Sequence, residues 1–540
     1  MKIESKKDLK RYKLALFLIL ASFFFKGVFL VGVFPIFKGQ DESRHYNTVQ
    51  YLATDKLRVS QQESEIINEQ VKKELSTYHY SDEIRETSVV VQNKKIRGNY
   101  YNKINFLQNS FDGKEEKIFK SKFHSRIQHV YPPDIARAPF GKDGFSLYHW
   151  GLSGVEKFLS PQNIFIRYSV LRIISVLLGI ILLILAYNIF KIVRFTEKQS
   201  LILMAAISFQ PKLVTYFTNI NYDVLLIPLW TGFIFIGTLI LKKGWNFYRI
   251  LTLVVLLIGA TMTKPSALPL LGLGVFLVVN TFYKNFRKCK IRKSKIIFIG
   301  LGGIIVGGIC FKLLSKVGVT TIFSEVYIKM LPEYLGKSLP KIYGSSRDYW
   351  GAIGWSANSL VLFYVKIIWF IEWIAWICLG LWIVLSWVKK TKRVVNFSLP
   401  IYMALKNKCS INSNIKNIYI RVKKQLQKKS FSELNNQKKY FWFMFVAIIV
   451  LQIGIRVADW KIFTGVGNLS LGTPGRYWLP NIVPHFVLLA LGLKVPAIIF
   501  SKNKTIQRKY FEGSLLGFLI LMILYWTYEV VNIIIPRFYL

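Results

Sequence analysis

Long apolar runs alternate with short polar stretches along the whole chain, and the runs are long enough to cross a bilayer as helices. About eleven spans are predicted, at 14–34, 168–190, 200–218, 222–241, 249–263, 266–283, 295–314, 361–388, 440–457, 477–499 and 512–534. The first run carries one lysine, Lys26, follows a charged stretch and lacks a small-residue cleavage site, so it reads as a retained anchor. The pair 249–263 and 266–283 is interrupted by TKPSALP. Its first arm, at the helical rise, reaches roughly 22 Å, short of a hydrocarbon core of about 30 Å. The pair is therefore expected to form a hairpin with Lys264-Pro265 at a recessed tip, where a lysine is unfavourable unless it faces water or an anion.

Composition agrees with this pattern. Hydrophobic residues make up 52% of the 540, which excludes an ordinary soluble enzyme and points to a polytopic membrane protein. The formal charge of +45 is unevenly spread. The stretch 35–165 holds 16 of the 28 acidic residues, whereas Lys and Arg crowd into 191–194, 242–249, 284–295, 389–439 and 501–509. With a cytoplasmic N-terminus, every one of those basic loops falls on the cytoplasmic side, as the positive-inside rule requires. Anionic membrane lipids are then the simpler partner, and nucleic acid is not expected. The cysteines, Cys289, Cys310, Cys378 and Cys409, lie in cytoplasmic loops and spans, so neither a structural disulfide nor a CxxC metal site is expected.

The expected organisation has five parts. Residues 1–34 form a cytoplasmic tail and the first span, and 35–165 form a small extracytoplasmic domain, with an amphipathic helical stretch around 60–76. Residues 166–388 form a membrane core with an external loop at 315–360. A basic cytoplasmic loop occupies 389–439, and a C-terminal membrane core occupies 440–540. No internal repeat of the transporter kind is found, and the Gly-rich stretch 465–472 has no preceding strand to make it a nucleotide fingerprint.

On this topology, polar clusters gather at one membrane face: Asp41, Glu42 and His45 after the first span, Tyr222 and Asp223 at a hairpin tip, Lys264, and Arg476-Tyr477 before the tenth span. Asp41 and His45, four apart, would share a face of a short helix. Carboxylates beside recessed cations suit a reaction in which a nucleophile is deprotonated and a phosphate leaves. Each group also has a plainer role. Asp223 could cap its helix, Lys264 and Arg476 could reach to headgroups, and Glu372 and Glu529, inside spans, could pair with neighbouring helices.

These residues carry a resemblance. The chain resembles the GT-C class of membrane glycosyltransferases, and within it a branch of bacterial and archaeal membrane proteins. The matching elements are QDESRH (40–45), Tyr222-Asp223, YWGAIGW (349–355) and GRYWLP (475–480), in register over most of the chain. Two features depart from that pattern. Ser43-Arg44 stand where a Pro or Ala spacer is usual, and 389–439 and part of 50–126 have no counterpart.

The resemblance implies an all-α, GT-C-like fold with an extracytoplasmic active site in the cell membrane. It implies an inverting transfer of a sugar from a polyprenyl-phosphate donor to a glycan, lipid or cell-wall polymer. Asp41 would be the general base, assisted by Glu42 and His45. Lys264 and Arg476 would hold the donor phosphate. Tyr222, Asp223, Trp350, Trp355 and Tyr477 would line the sugar or acceptor site. No cofactor is assigned: carboxylates at the mouth could hold a divalent metal, but no Asp-x-Asp occurs in the external segments. The Lys-, Asn- and Ile-rich composition hints at a low-GC bacterium, where teichoic acid or capsule decoration would be the pathway. The alternatives are a flippase for lipid-linked saccharides, which needs polar groups reaching both faces, and a non-catalytic subunit of an envelope polysaccharide complex.

Overall fold

The computed structural model describes residues 6–37, 39, 41–54, 145–287, 329–351, 362–388, 432–466, 474–501 and 503–536. Among them every regular element is helical. Seven helices are long and apolar enough to cross a membrane, and two shorter apolar ones, Phe247–Thr263 and Pro265–Thr281, accompany them. The span expected at 295–314, the stretch 60–76 and the loop 389–431 lie outside the described residues.

Helix α1 (Lys6–Val33) leads into a short α2 (Glu42–Ala53). After 145 the chain re-enters through α3 (Leu147–Phe158), capped by Ser146, whose side chain accepts the Tyr148 N–H, and α3 packs against α2. Then follows the long α4 (Ile164–Ile192), which packs against α1 and against α7 (Asp223–Lys243). Lys26, about two turns before the end of α1, turns inward: its Nζ donates to the Ser208 carbonyl at 2.7 Å and lies over the Phe209 ring. A lysine in an apolar span is thereby satisfied inside the bundle rather than in lipid.

The run at 200–218 is not one helix. It divides into α5 (Glu197–Ser208) and α6 (Pro211–Tyr216). Pro211 has no N–H to give and its ring crowds the preceding turn, so the helix must stop and restart. Gln210 caps the restart by accepting the Leu213 N–H. The break leaves α6 and the tip 217–222 as a compact, buried cap at one end of the bundle.

The hairpin at 247–287 forms as the sequence predicts. Helix α8 (Phe247–Thr263) ends at Lys264, which is extended (φ −157°, ψ 139°) because Pro265 follows it. A single 3-10 turn, Pro265–Ala267, returns the chain into α9 (Leu270–Arg287). Beyond lie α10 (Leu331–Ser338) and α11 (Lys341–Gly351), then the spans α12 (Leu362–Val388), α13 (Ser432–Val466), α14 (Ile482–Phe500) and α15 (Lys504–Glu529). A 3-10 segment, Gly475–Asn481, introduces α14 and lies against α11. The C-terminus of α1, the N-termini of α4, α7 and α14, and the C-termini of α6 and α8 all meet at the same end of the bundle.

Candidate active site

At that end, three carboxylates pair with three cations from different helices. Glu42 opens α2 and is fully buried. Arg172, about two turns inside α4, grips it with two parallel bonds, Nε to Oε1 at 2.8 Å and Nη2 to Oε2 at 2.7 Å. Glu42 also accepts the Gly39 N–H and the Ile220 N–H, both at 3.0 Å. Arg172 in turn donates to the Phe34 and Pro35 carbonyls. This pair ties the end of α1, the tip before α7, and α4 into one unit.

Asp223 opens α7. Its side chain does not cap the helix; both oxygens face Lys264 Nζ, at 2.7 and 2.9 Å, and Oδ2 also accepts from the Tyr216 hydroxyl at 2.8 Å. Lys264 Nζ sits between the faces of Tyr222 and Tyr477, 4.5 and 4.6 Å from their centroids. The anion that a recessed lysine needs is thus supplied by the protein, and two aromatic faces complete its shell.

The third pair is looser. Arg476 Nη2 meets Asp41 Oδ2 at 3.1 Å, and Asp41 keeps 29% of its side-chain surface exposed. Asp41 stands before α2 with a left-handed backbone, φ 55° and ψ 15°, and makes no cap bond. Arg476 is set by its neighbour. Gly475 N–H donates to Asp348 Oδ2 at 2.6 Å, and Asp348 Oδ1 accepts from Lys212 Nζ at 2.8 Å. The Gly475 backbone lies so close to α11 that a Cβ there would meet Tyr349 N at 2.1 Å.

His45, one turn into α2, is buried with its Nδ1 2.9 Å from His149 Nε2 on α3, and its ring stands edge-on to Tyr222 at 4.6 Å. Burial is the main force lowering both imidazoles, His149 to about 3, with His149, Lys264, Arg476 and Arg44 adding to the effect at His45. Both shifts favour the neutral imidazole, and the shared N–H···N bond needs one ring to donate and the other to accept.

The structure therefore brings together Asp41, His45, Tyr222, Asp223, Lys264, Arg476 and Tyr477. Glu42 is adjacent, but its carboxylate is consumed by Arg172 and two backbone donors. Trp350 is fully buried, ringed by Tyr349, His485, Phe486 and Phe518, so it offers no face to a sugar and the stacking role expected of it gives way to packing. Trp355 lies outside the described residues. Glu372, inside α12, finds its partner in His485 Nε2 at 2.7 Å, and Tyr349 hydroxyl lies 3.1 Å from the other ring nitrogen. Glu529 is buried at the end of α15. Among the described residues no three of His, Cys, Asp and Glu are grouped to hold a metal ion.

Arg172, Tyr216, His149 and Asp348 escaped the reading of the sequence. Arg172 stands near the start of a span, where an arginine looks interfacial. His149 is separated from His45 by a hundred residues of polar chain. Asp348 was hidden inside a loop read for its tryptophans.

Residues 166–307 match the sequence model of a family described as dolichyl-phosphate-mannose-protein mannosyltransferase. No curated protein matches the chain, and no solved structure does. The matched stretch contains Arg172, Tyr222, Asp223 and Lys264, half of the site just described. With the apolar helices, it fits a GT-C membrane glycosyltransferase.

Proposed function

We propose that this chain is a membrane glycosyltransferase that moves a sugar from a polyprenyl-phosphate donor to a hydroxyl of an extracytoplasmic glycan, lipid or cell-wall polymer. The observation that carries this reading is the pairing of Asp41 with Arg476. A part-exposed carboxylate meets a guanidinium at the mouth of a helical bundle, beside a second cation, Lys264, that is held between two tyrosine rings.

Asp41 is the base. As the acceptor oxygen bonds to the anomeric carbon, its proton passes to an Asp41 oxygen. The bond between the anomeric carbon and the phosphate oxygen breaks, and its electron pair leaves with the polyprenyl phosphate. A single displacement of this kind inverts the anomeric centre. Arg476 stabilises charge growing on the leaving phosphate, for which its planar fork is well shaped. Lys264 acts from one layer deeper, holding Asp223 and keeping a positive potential under the site. Tyr222 and Tyr477 offer partly open ring faces beside it, suited to a sugar ring. His45 and His149, neutral and joined, fix the floor of α2 rather than carrying a proton.

The test is direct. Purified protein in lipid nanodiscs is given a panel of radiolabelled polyprenyl-phosphate hexoses and membrane extracts as acceptor, and release of free polyprenyl phosphate is measured. Release with at least one donor, lost in Asp41→Asn, supports the reading. A protein that binds no donor, or that moves intact lipid-linked sugar across vesicles instead, refutes it.

A further inference from the structure

Among the described residues, four cations near the mouth each face an anion. Arg172 has Glu42, Lys264 has Asp223, Lys212 has Asp348 and Arg476 has Asp41. A phosphate that takes over one of these cations competes with the carboxylate already on it. Which one can yield is decided by burial and bonding. Glu42 is completely buried and holds four donors, and its release would strand a buried arginine. Asp223 is 7% exposed and holds three contacts with two partners. Asp348 is bound by a lysine and a backbone N–H at once. Asp41 alone combines the largest exposure of the four, 29%, with one long contact at 3.1 Å and no cap bond to its own helix. If it lets go, water can replace the guanidinium.

We infer that the Arg476–Asp41 pair is an exchangeable latch: donor phosphate takes Arg476 away from Asp41, and the carboxylate so released is the base. This rests on the reading of the site as a glycosyltransferase and adds to it an order of events. In the empty site the guanidinium holds Asp41 and weakens it as a proton acceptor, because an adjacent positive charge favours the ionised carboxylate. An acceptor hydroxyl arriving first meets a base that is occupied. A phosphate arriving first competes for the same fork, and Asp41 regains both its basicity and its freedom to turn toward the acceptor. Asp41 keeps its own charge when it lets go, so the site becomes more negative by the charge of the phosphate, which further favours Asp41 as a proton acceptor. The donor must therefore bind first, and water, which brings no phosphate, cannot by itself arm the base against the solvent.

The experiment measures binding rather than activity. Farnesyl phosphate, which carries the headgroup of the leaving product, is titrated into wild type, Asp41→Asn, Arg476→Met and the double variant, each shown to be monodisperse in detergent. Removing the competing carboxylate should tighten binding in Asp41→Asn by roughly tenfold, the size of one charged contact. In the Arg476→Met background the same change should alter binding less than about twofold, because there is no guanidinium left to compete for. An equal gain in both backgrounds would show plain repulsion and overturn the latch. No gain in Asp41→Asn, with binding still weakened in Arg476→Met, would overturn the latch and leave the donor site intact. Absence of binding in wild type, Asp41→Asn and Arg476→Met alike would remove the donor site itself, and the latch with it. As a check that does not depend on Met at 476, Arg476→Lys should retain part of the coupling, since the charge remains while the fork is lost.

Discussion

Asp41 and Glu42 are consecutive acidic residues at the mouth of one bundle, each facing an arginine, yet their surroundings have little in common. Glu42 is sealed beneath the surface, saturated by a two-pronged arginine and two backbone donors. Asp41 sits one residue earlier on a left-handed backbone, part-exposed, with a single side-chain contact. The first arrangement fits a joint that must not move, and the second fits a group that must change partners. Neighbouring positions can therefore divide structure from chemistry, and the division follows from the local backbone, which turns one carboxylate into the bundle and the other toward its opening.

The sharpest way to break this contrast is to make the same substitution at both positions. Asp41→Asn should leave the protein inserted and monodisperse and lower transfer by about a hundred- to ten-thousand-fold, the usual contribution of a general base. A remaining rate above roughly a tenth of wild type would move the role to Asp223. Glu42→Gln should do the reverse of a clean catalytic lesion: Arg172 loses its buried counter-charge, destabilising the fold by about 3–5 kcal/mol, and the purified yield and melting temperature should fall together. Lys264→Met should resemble Glu42→Gln, because it strands Asp223; an unchanged melting temperature would show that Asp223 finds another partner.

A smaller effect is expected at Gly475. Alanine there drives a methyl into the α11 backbone at Tyr349 and Ser345. Overpacking of this kind costs about 1–3 kcal/mol. Because Arg476 is the next residue, farnesyl phosphate binding should weaken as well; Gly475→Ala with wild-type binding would uncouple that turn from the donor site.

The mildest test is pH. His45 and His149 are pushed down by burial, so the folded protein takes up protons less readily than the unfolded chain, whose histidines titrate near 6.5. The contribution of these two rings to stability is then constant above about pH 7 and falls as pH drops below 6.5, by about 2 kcal/mol at pH 5 for His149 alone. Melting curves at pH 5 and 7.5 measure this, and His149→Gln should flatten the difference.

Much of the fold was legible because a membrane span writes itself as a long apolar run, and the candidate residues stood out as charges against it. Asp41, Asp223, Lys264 and Arg476 were recognisable because each interrupts or borders such a run at the same face. Their partnerships were not. Nothing local states that Lys264 meets Asp223 across forty residues, or that Arg172 turns inward to Glu42. Those contacts depend on which faces of α4, α7 and α8 are apposed, a property of packing and not of spacing. The break at Pro211 was written in the sequence, but a run of apolar residues on both sides disguised it. The surroundings of Trp350 are not legible in the sequence, because its aromatic ring suits a sugar and a core equally well; α11 closing against α14 and α15 buries it.

The backbone at Asp41 also limits what can ever stand there. At φ 55° a side chain branched at Cβ is strained, while Asn, Asp and Gly accept that conformation readily. A saturation library at 41, sorted only for folded, inserted protein, should retain Asn and Gly and lose Val, Ile and Thr. Sorted again for transfer, it should keep Asp alone. The tolerance of the position is drawn by its geometry before chemistry makes its choice, and aspartate is the one residue that satisfies both.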